Sequence, residues 1–440
     1  MNRVRKRALA VYLLVAVAVL GLGFYVVRFF VHGSAWASAP FNQTVHQGGI
    51  LSVGRVVDRN GVVLADVTDG RRSFAESAEV RRATLHAVGD REGNIGTGAL
   101  SMFAAELMGY NPILGSTHVT GAGNTVTLNI DSALNVEALR ALDGRRGVVM
   151  VSNFETGEVL AMVSSPTFDP TQPPTVIDDE EGIFLNRAIQ AAYTPGSSFK
   201  VLTAAAAVEN VRDLSTRVFE CTGEMRTSRG IVTCHSVHGN IGIIDAMRVS
   251  CNIAFGELAI EMGPEIMARY AERMGLSGRT TISGMSTANG NFERADPGTA
   301  DLAWSGIGQF TNTVCPASML RFMGAIANDG VAVELQLRSR QGLGAILADS
   351  TERLMDTSTA RRLEEIIRIQ NRANFPDLEL HAKTGTAQVG GDRLPHAWFV
   401  GYITNTDFPL AFVVVVENAG GGAAVAAPIA NRVLQAAIRR

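Results

Sequence analysis

Ser197 and Lys200 stand three residues apart in Ala192-Tyr193-Thr194-Pro195-Gly196-Ser197-Ser198-Phe199-Lys200-Val201-Leu202-Thr203. A free serine hydroxyl is a poor nucleophile and needs a base beside it. Pro195-Gly196 breaks the chain, and the apolar, helix-prone run from Phe199 to Val208 follows. Ser197 therefore sits at or just inside a helix N-terminus, with Lys200 one turn later on the same face. Ser198 is two residues from Lys200, so the helix turns it away. Phe199, Val201, Leu202 and the alanines from Ala204 to Ala207 predict a helix buried on most sides. A lysine there loses hydration, and its pKa falls toward that of a useful base. The helix N-terminus favours the alkoxide developing on Ser197. Alone, the pair reads more readily as a capping serine and a snorkelling lysine.

Two later stretches change that balance. Ser250-Cys251-Asn252 follows the helix-like run from Ile244 to Val249, and Lys383-Thr384-Gly385-Thr386 lies late in the chain. Each has a bland reading, a cap and turn for the first and an exposed strand for the second. S-x-x-K, S-D-N and K-T-G together are the signature of class A β-lactamases and penicillin-binding proteins. Here they occur in that order at domain-scale separations, with Cys251 in place of the aspartate.

The elements that must position these groups are strands at both ends of a helical middle. Residues 148–154 and 158–164 are apolar strands joined by the tight turn Glu155-Thr156-Gly157. Residues 241–328 read as mostly helical, with Trp304-Ser305-Gly306-Ile307-Gly308-Gln309 as a glycine-punctuated loop. Residues 379–388, 396–404 and 410–418 form an antiparallel meander with Thr406-Asp407-Phe408-Pro409 in one turn, and a last helix spans 424–440. One mixed sheet with helices on both faces follows. Upstream, residues 31–140 are polar and glycine-rich. Gly54–Leu64 reads as a structural edge hairpin around Asn60-Gly61, and residues 126–131 as a strand leading into a helix over 132–142. This part reads as a packing or spacer domain without catalytic residues.

Arg3, Arg5, Lys6 and Arg7 precede residues 8–27, which contain no charge and suffice to cross a bilayer. The basic flank puts the N-terminus in the cytoplasm and the remaining chain outside. Ala37-Ser38-Ala39 resembles a signal-peptide cleavage site, but the apolar run is longer than a signal h-region, which favours an uncleaved anchor. A formal net charge of −3 gives no bulk electrostatic case for nucleic acid, and an apolar fraction of 46% is ample for a core. Outside the membrane, Cys221 and Cys234 bracket a short polar loop and could close it as a disulfide, adding about 3 kcal/mol, a pairing that spacing alone does not decide. Cys251 and Cys315 read as buried thiols. There is no C-x-x-C pair or H-E-x-x-H helix and the eight histidines are scattered, so no metal site and no cofactor is expected.

From residue 8 to the end the chain resembles a class B penicillin-binding protein, a membrane-anchored peptidoglycan D,D-transpeptidase. Besides the three motifs, the resemblance lies in Arg55–Gly61, Thr156–Ser164, Gly306-Ile307-Gly308-Gln309 and Ala397–Tyr402. It implies an α/β penicillin-binding fold: an antiparallel sheet flanked by helices, an all-helical subdomain, a small N-terminal pedestal and one transmembrane helix. The division is a cytoplasmic tail at 1–7, an anchor at 8–30, a pedestal at 31–144 and the transpeptidase domain at 145–440. The resemblance implies that Ser197 attacks the carbonyl between the terminal D-alanines of a stem peptide and Lys200 takes its proton. Ser250 relays a proton toward the leaving nitrogen, and Lys383 holds a positive field there. Asn252 orients Lys200 and binds the substrate amide, Thr384 and Thr386 take the terminal carboxylate, and Gly385 leaves room for the substrate backbone. The backbone N–H groups of Ser197 and Thr386 form the oxyanion hole. The same resemblance implies acylation by β-lactams. The alternatives on this fold are a D,D-carboxypeptidase, a serine β-lactamase and a β-lactam sensor. The stretch before residue 147 offers no acidic cluster suited to sugar transfer. The small residues Ala10, Ala16, Ala18, Gly21 and Gly23 in the anchor then suggest docking on a polytopic SEDS-type glycosyltransferase.

Overall fold

The computed structural model describes residues 2–37, 39, 46–47, 50–110, 123–175, 182–339, 351–369, 375, 378–404 and 407–439. Ser38 of the cleavage-like stretch and Thr406 of the expected turn lie outside them. Helix α1 (Asn2–Ala37) carries an apolar span, Arg3–Gly33, whose most apolar stretch is not covered by the rest of the chain. Its length and composition are those of a membrane-crossing helix.

A four-stranded sheet follows: β1 (Arg55–Val57), β2 (Val63–Thr68), β3 (Arg71–Phe74) and β4 (Thr125–Thr127), in the order β3-β2-β1-β4. β4 lies parallel to β1, so the Gly54–Leu64 hairpin is interior to its sheet and not at an edge. Val56 and Ala65 are fully buried, and the outer ladder groups of β1 are covered by β4, a strand from far along the chain. Helix α2 (Ala78–Val88), capped by Ser77, packs against α3 (Ser132–Leu142). Asp58, fully buried, joins hairpin to helix: it accepts from Asn60 N and Val62 N in the turn and from Ser132 N and Oγ at the start of α3.

β5 (Gly147–Asn153) and β6 (Val159–Ser165) form the next hairpin, and α4 (Lys200–Asn210) follows the serine turn. Two small antiparallel pairs come next: β7 (Phe219–Cys221) with β10 (Gly239–Ile241), and β8 (Glu224–Arg226) with β9 (Ile231–Thr233). Helices α5 (Ile243–Arg248), α6 (Asn252–Arg273), α7 (Ala300–Gly306), α8 (Pro316–Ala327) and α9 (Thr357–Ile367) make the helical part. The chain closes with β11 (Leu380–Ala387), β12 (His396–Ile403), β13 (Leu410–Val416) and α10 (Gly422–Ile438). Trp304-Ser305-Gly306, expected in a loop, end α7 instead. Thr299 Oγ1 caps that helix at Leu302 N, and Gly306 lies so close to α6 that a Cβ would come within 2.3 Å of Ala259 Cβ.

The main sheet runs β11-β12-β13-β5-β6, antiparallel throughout. Both faces are covered, which is why β13 is a continuous apolar run, every residue of it buried. Val149, Val151, Phe399 and Val414 face α3 and α10, while Val148, Met150, Trp398 and Val415 share a core with α4, α6 and α8. The architecture is the mixed α/β fold with a helical part that the resemblance implies.

Candidate active site

Gly196–Phe199 form a single 3-10 turn, and Lys200 opens α4. The turn is held from three sides. Trp398 Nε1 donates to Thr194 O at 2.9 Å, Gly196 N donates to Gly308 O at 2.9 Å, and the fully buried Ser198 donates its hydroxyl to Pro195 O at 2.8 Å. Ser198 thus faces inward, while Ser197 lines the open groove. Gly308 (φ +82°) is obligatory at its position, because a Cβ there would lie 2.2 Å from Gly196 O. Gly385 serves the same turn: its Cβ would meet Pro195 O at 2.6 Å. The space left by Gly385 is thus filled by the serine turn, where the sequence reading gave it to the substrate backbone.

Lys200 is fully buried, and its ammonium is tethered to the N-terminal side of α6. Nζ donates to Ser250 O at 2.6 Å, to Ser250 Oγ at 3.1 Å and to Asn252 Oδ1 at 2.8 Å. It also lies 5.6 Å from the centre of the Phe255 ring. Lys383 Nζ reaches the same hydroxyl, Ser250 Oγ, at 3.0 Å and also donates to Thr384 O at 3.1 Å. Burial, and then the neighbouring charge of Lys383, lower the pKa of Lys200 well below its ordinary value. Burial brings Lys383 down to about 8. Ser250 itself holds a left-handed backbone, φ +55°.

β11 is an edge strand of the main sheet, so every second residue turns its N–H and C=O away from the ladder. Leu380 O accepts from Ile369 N off that edge. By period two, the backbone groups of Thr384 and Thr386 point off it as well, beside the serine turn. Thr386 Oγ1 accepts from Gly422 N at 3.3 Å. Ser197, Ser250, Asn252, Thr384 and Thr386 line one groove of about 830 Å³.

Residues 147–435 match the family described as Penicillin binding protein transpeptidase domain. The chain belongs to this family, as a class B penicillin-binding protein. The Peptidoglycan D,D-transpeptidase PbpA of Mycolicibacterium smegmatis is 29% identical over 334 residues, 67% of this chain and 67% of that protein. The Peptidoglycan D,D-transpeptidase MrdA of Acinetobacter baumannii is 28% identical over 358 residues, 69% of this chain and 52% of that one. Among solved structures, the D,D-transpeptidase domain of a peptidoglycan glycosyltransferase from Eggerthella lenta has a TM-score of 0.73 at 25% identity, covering 88% of this chain and 98% of that one. Penicillin-binding protein A from M. tuberculosis, solved as an imipenem acyl-enzyme complex, has a TM-score of 0.76 at 24% identity with the same coverage.

In this penicillin-binding protein, sequence reasoning missed several parts of the site. Cys234, His235, Phe310 and Gln388 also line the groove, brought there by loops that no local pattern announces, and Trp304 joins them from the last turn of α7. Behind the serine turn, Tyr193 donates its hydroxyl to Glu417 Oε1 at 2.8 Å, and the buried Arg187 pairs with the same oxygen at 2.8 Å. Burial would raise the Glu417 pKa, but Arg187 and Tyr193 hold it below the ordinary value. No disulfide joins Cys221 and Cys234: both are free thiols, as are Cys251 and Cys315. Cys221 ends β7 and Cys234 follows β9, so both approach a third sulfur, Cys251, at the start of α6.

Proposed function

We propose that this penicillin-binding protein cross-links peptidoglycan as a serine D,D-transpeptidase, with Ser197 as its nucleophile. One observation carries the assignment of roles: Ser250 Oγ lies within hydrogen-bonding distance of both Lys200 Nζ and Lys383 Nζ, on the groove that Ser197 lines. Ser197 Oγ bonds to the carbonyl carbon of the penultimate D-alanine, and its proton passes to the neutral Lys200 amine. The C–N bond to the terminal D-alanine breaks. The leaving nitrogen gains the proton by way of Ser250, and free D-alanine departs. An amine of a second stem peptide then attacks the acyl carbon, giving up a proton along the same route, and Ser197 is regenerated. Lys383 stabilises the charge along that relay, and Asn252 orients Lys200 and the substrate amide. Thr384 and Thr386 receive the terminal carboxylate.

The backbone N–H groups of Ser197 and Thr386 form the oxyanion hole, a contribution of about 2.7–4 kcal/mol per donor. The substrate lies along the free edge of β11 as an added strand. A β-lactam reacts at Ser197 by the same acyl transfer. The curated relatives that carry the name peptidoglycan D,D-transpeptidase support this reading.

The roles of the other parts follow. Residues 8–30 anchor the chain, 1–7 lie in the cytoplasm, 31–144 are the pedestal, and 145–440 are the catalytic part outside the membrane. The basic residues Arg3–Arg7 support this orientation. The small residues of the anchor and the pedestal dock on a SEDS-type glycosyltransferase, so that glycan polymerisation and cross-linking share one complex. Replacing the anchor with an unrelated membrane helix tests this docking: a chimera that still co-purifies with the polymerase and supports growth would reduce the anchor to a tether. The enzymatic reading is tested with a D-alanyl-D-alanine peptide in the presence and absence of an amine acceptor. Cross-linked product in proportion to acceptor is the expected result. Hydrolysis alone, indifferent to acceptor, would make the protein a carboxypeptidase.

A further inference from the structure

The loops between β7 and α6 bring three sulfurs and one imidazole to a single point. Cys221 Sγ, Cys234 Sγ, Cys251 Sγ and one ring nitrogen of His238 all lie within 4.8 Å of one another. His238 Nδ1 is 3.4 Å from Cys221 Sγ and 3.6 Å from Cys234 Sγ. A tetrahedral zinc ion with thiolates at roughly 2.3 Å and imidazole nitrogen at roughly 2.0–2.1 Å separates its donors by about 3.5–3.8 Å. The sulfur–nitrogen spacings already have that size. We propose that Cys221, Cys234, His238 and Cys251 form a closed, structural zinc site that clamps the Ser250–Asn252 segment in its working conformation.

Other accounts of the cluster leave part of it unexplained. A disulfide would use two sulfurs and strand the third beside the imidazole. Hydrogen bonds give Cys221 Sγ a long contact to Ser236 O at 3.6 Å and Cys234 Sγ a donor in Asn252 N at 3.2 Å, without requiring the third sulfur to be gathered with them. On the outer face of the membrane, three adjacent thiols are exposed to oxidation unless something holds them. Asn252 N donates to Cys234 Sγ at 3.2 Å, a contact that favours a thiolate there, and Cys251 occupies the N-cap of the long helix α6. Three soft sulfurs and one nitrogen select zinc over magnesium or calcium, and four protein donors leave no open position for catalysis.

The position of the fourth ligand gives the site its consequence. Cys251 stands between Ser250, whose hydroxyl meets both lysines, and Asn252, whose side chain orients Lys200. Ser250 is held at φ +55°, a conformation that costs a non-glycine residue energy and persists only where its neighbours impose it. Fixing Cys251 to two loops through a metal supplies that constraint.

The metal arm of the test needs no substrate, so it stands or falls apart from the transpeptidase reading; the acylation arm rests on that reading. Full-length protein purified in detergent from zinc-supplied cells should carry one zinc ion per chain by elemental analysis. Cobalt substitution should give the intense sulfur-to-metal absorption of a tetrahedral thiolate site. His238→Ala should lose the metal and His238→Cys should keep it, while Ser197→Ala keeps it fully. If His238→Ala does not fold, the wild-type cobalt spectrum and the His238→Cys metal content decide alone. Stripping the metal with a chelator should slow penicillin labelling roughly tenfold or more, with zinc restoring the rate. Metal-free protein with four alkylatable thiols, or a Cys221–Cys234 linked peptide in an unreduced digest, would overturn the site. A metal-loaded protein whose labelling ignores the chelator would overturn the clamp.

Discussion

The groove has two walls, and they are built on different principles. The wall from α4 and α6 holds its chemistry by side chains: Lys200 reaches Ser250 and Asn252 through three separate contacts, and the key hydroxyl sits on a left-handed residue. The wall from β11 holds its position by a backbone ladder eight residue pairs long, shared with β12. Its Thr384 and Thr386 are placed by the period of a strand, to which the side chain of Thr386 adds one long contact with Gly422 N. Losing one atom should therefore disable the helical wall, whereas the strand wall should yield only to changes that move backbone.

Ser250→Ala is the strongest test of that contrast. It removes the one oxygen that both lysines share, and proton relays of this kind contribute roughly 10²–10⁴-fold. Acylation by a fluorescent penicillin should slow by that order with little change in melting temperature. Labelling at the normal rate would show that the helical wall does not depend on this atom.

The pH profile separates the two walls by their lysines. Lys200 must be neutral to accept a proton, and Lys383 must be charged to stabilise the developing negative charge. Burial, with the charge of Lys383 second, depresses Lys200 well below its usual value, so acylation rises as that proton is lost. Lys383, brought down by burial to about 8, loses its charge as pH passes that value, and the rate falls. A bell-shaped profile of labelling rate with an alkaline limb near pH 8 is expected, its two limbs belonging to the lysine pair as a whole. Lys383→Arg should carry the alkaline limb out of range, since arginine stays charged. A limb that stays in place in this variant would assign it to the helical wall.

Gly385→Ala probes the strand wall where backbone meets backbone. A Cβ there would lie 2.6 Å from Pro195 O and 2.9 Å from Trp398 Cβ, and overpacking of this kind costs about 1–3 kcal/mol. Stability and acylation should fall together, measured by melting and labelling on the same preparation. Unchanged melting with lost labelling would place the glycine's role in substrate binding after all.

What the sequence revealed follows the same division. The burial and start of α4, the inward turn of Ser198 and the apolar run of β13 are local properties, visible as spacing and composition. The interior place of the Gly54–Leu64 hairpin was hidden because its second neighbour, Thr125–Thr127, is short, polar and more than sixty residues away. Gly306 looked like a loop residue because glycine ends helices, but here it lets α7 lie against Ala259. Cys221 and Cys234 suggested a disulfide because spacing shows which loop two cysteines bracket and not what approaches from outside it. His238 and Cys251 arrive from separate elements, and only the folded chain brings them to the same point.

The smallest expected effect lies one residue from the nucleophile. Ser198 is fully buried, and its hydroxyl, donated to Pro195 O, ties the serine turn to itself. In Ser198→Ala that donor is lost and the carbonyl is left in a dry environment, a cost of about 1–3 kcal/mol. For a protein part of this size, each kcal/mol lowers the melting temperature by about 2–4 °C. The turn remains held by Trp398 and by Gly308, so Ser197 keeps its place and labelling should stay near normal. Ser197→Ala should do the reverse, abolishing labelling while leaving melting unchanged, because Ser197 lines the open groove. Melting curves and penicillin labelling on the two variants side by side give the measurement. If Ser198→Ala lost labelling as completely as Ser197→Ala, the side-chain contact of Ser198, and not the ladder and loop contacts around it, would be what holds the nucleophile.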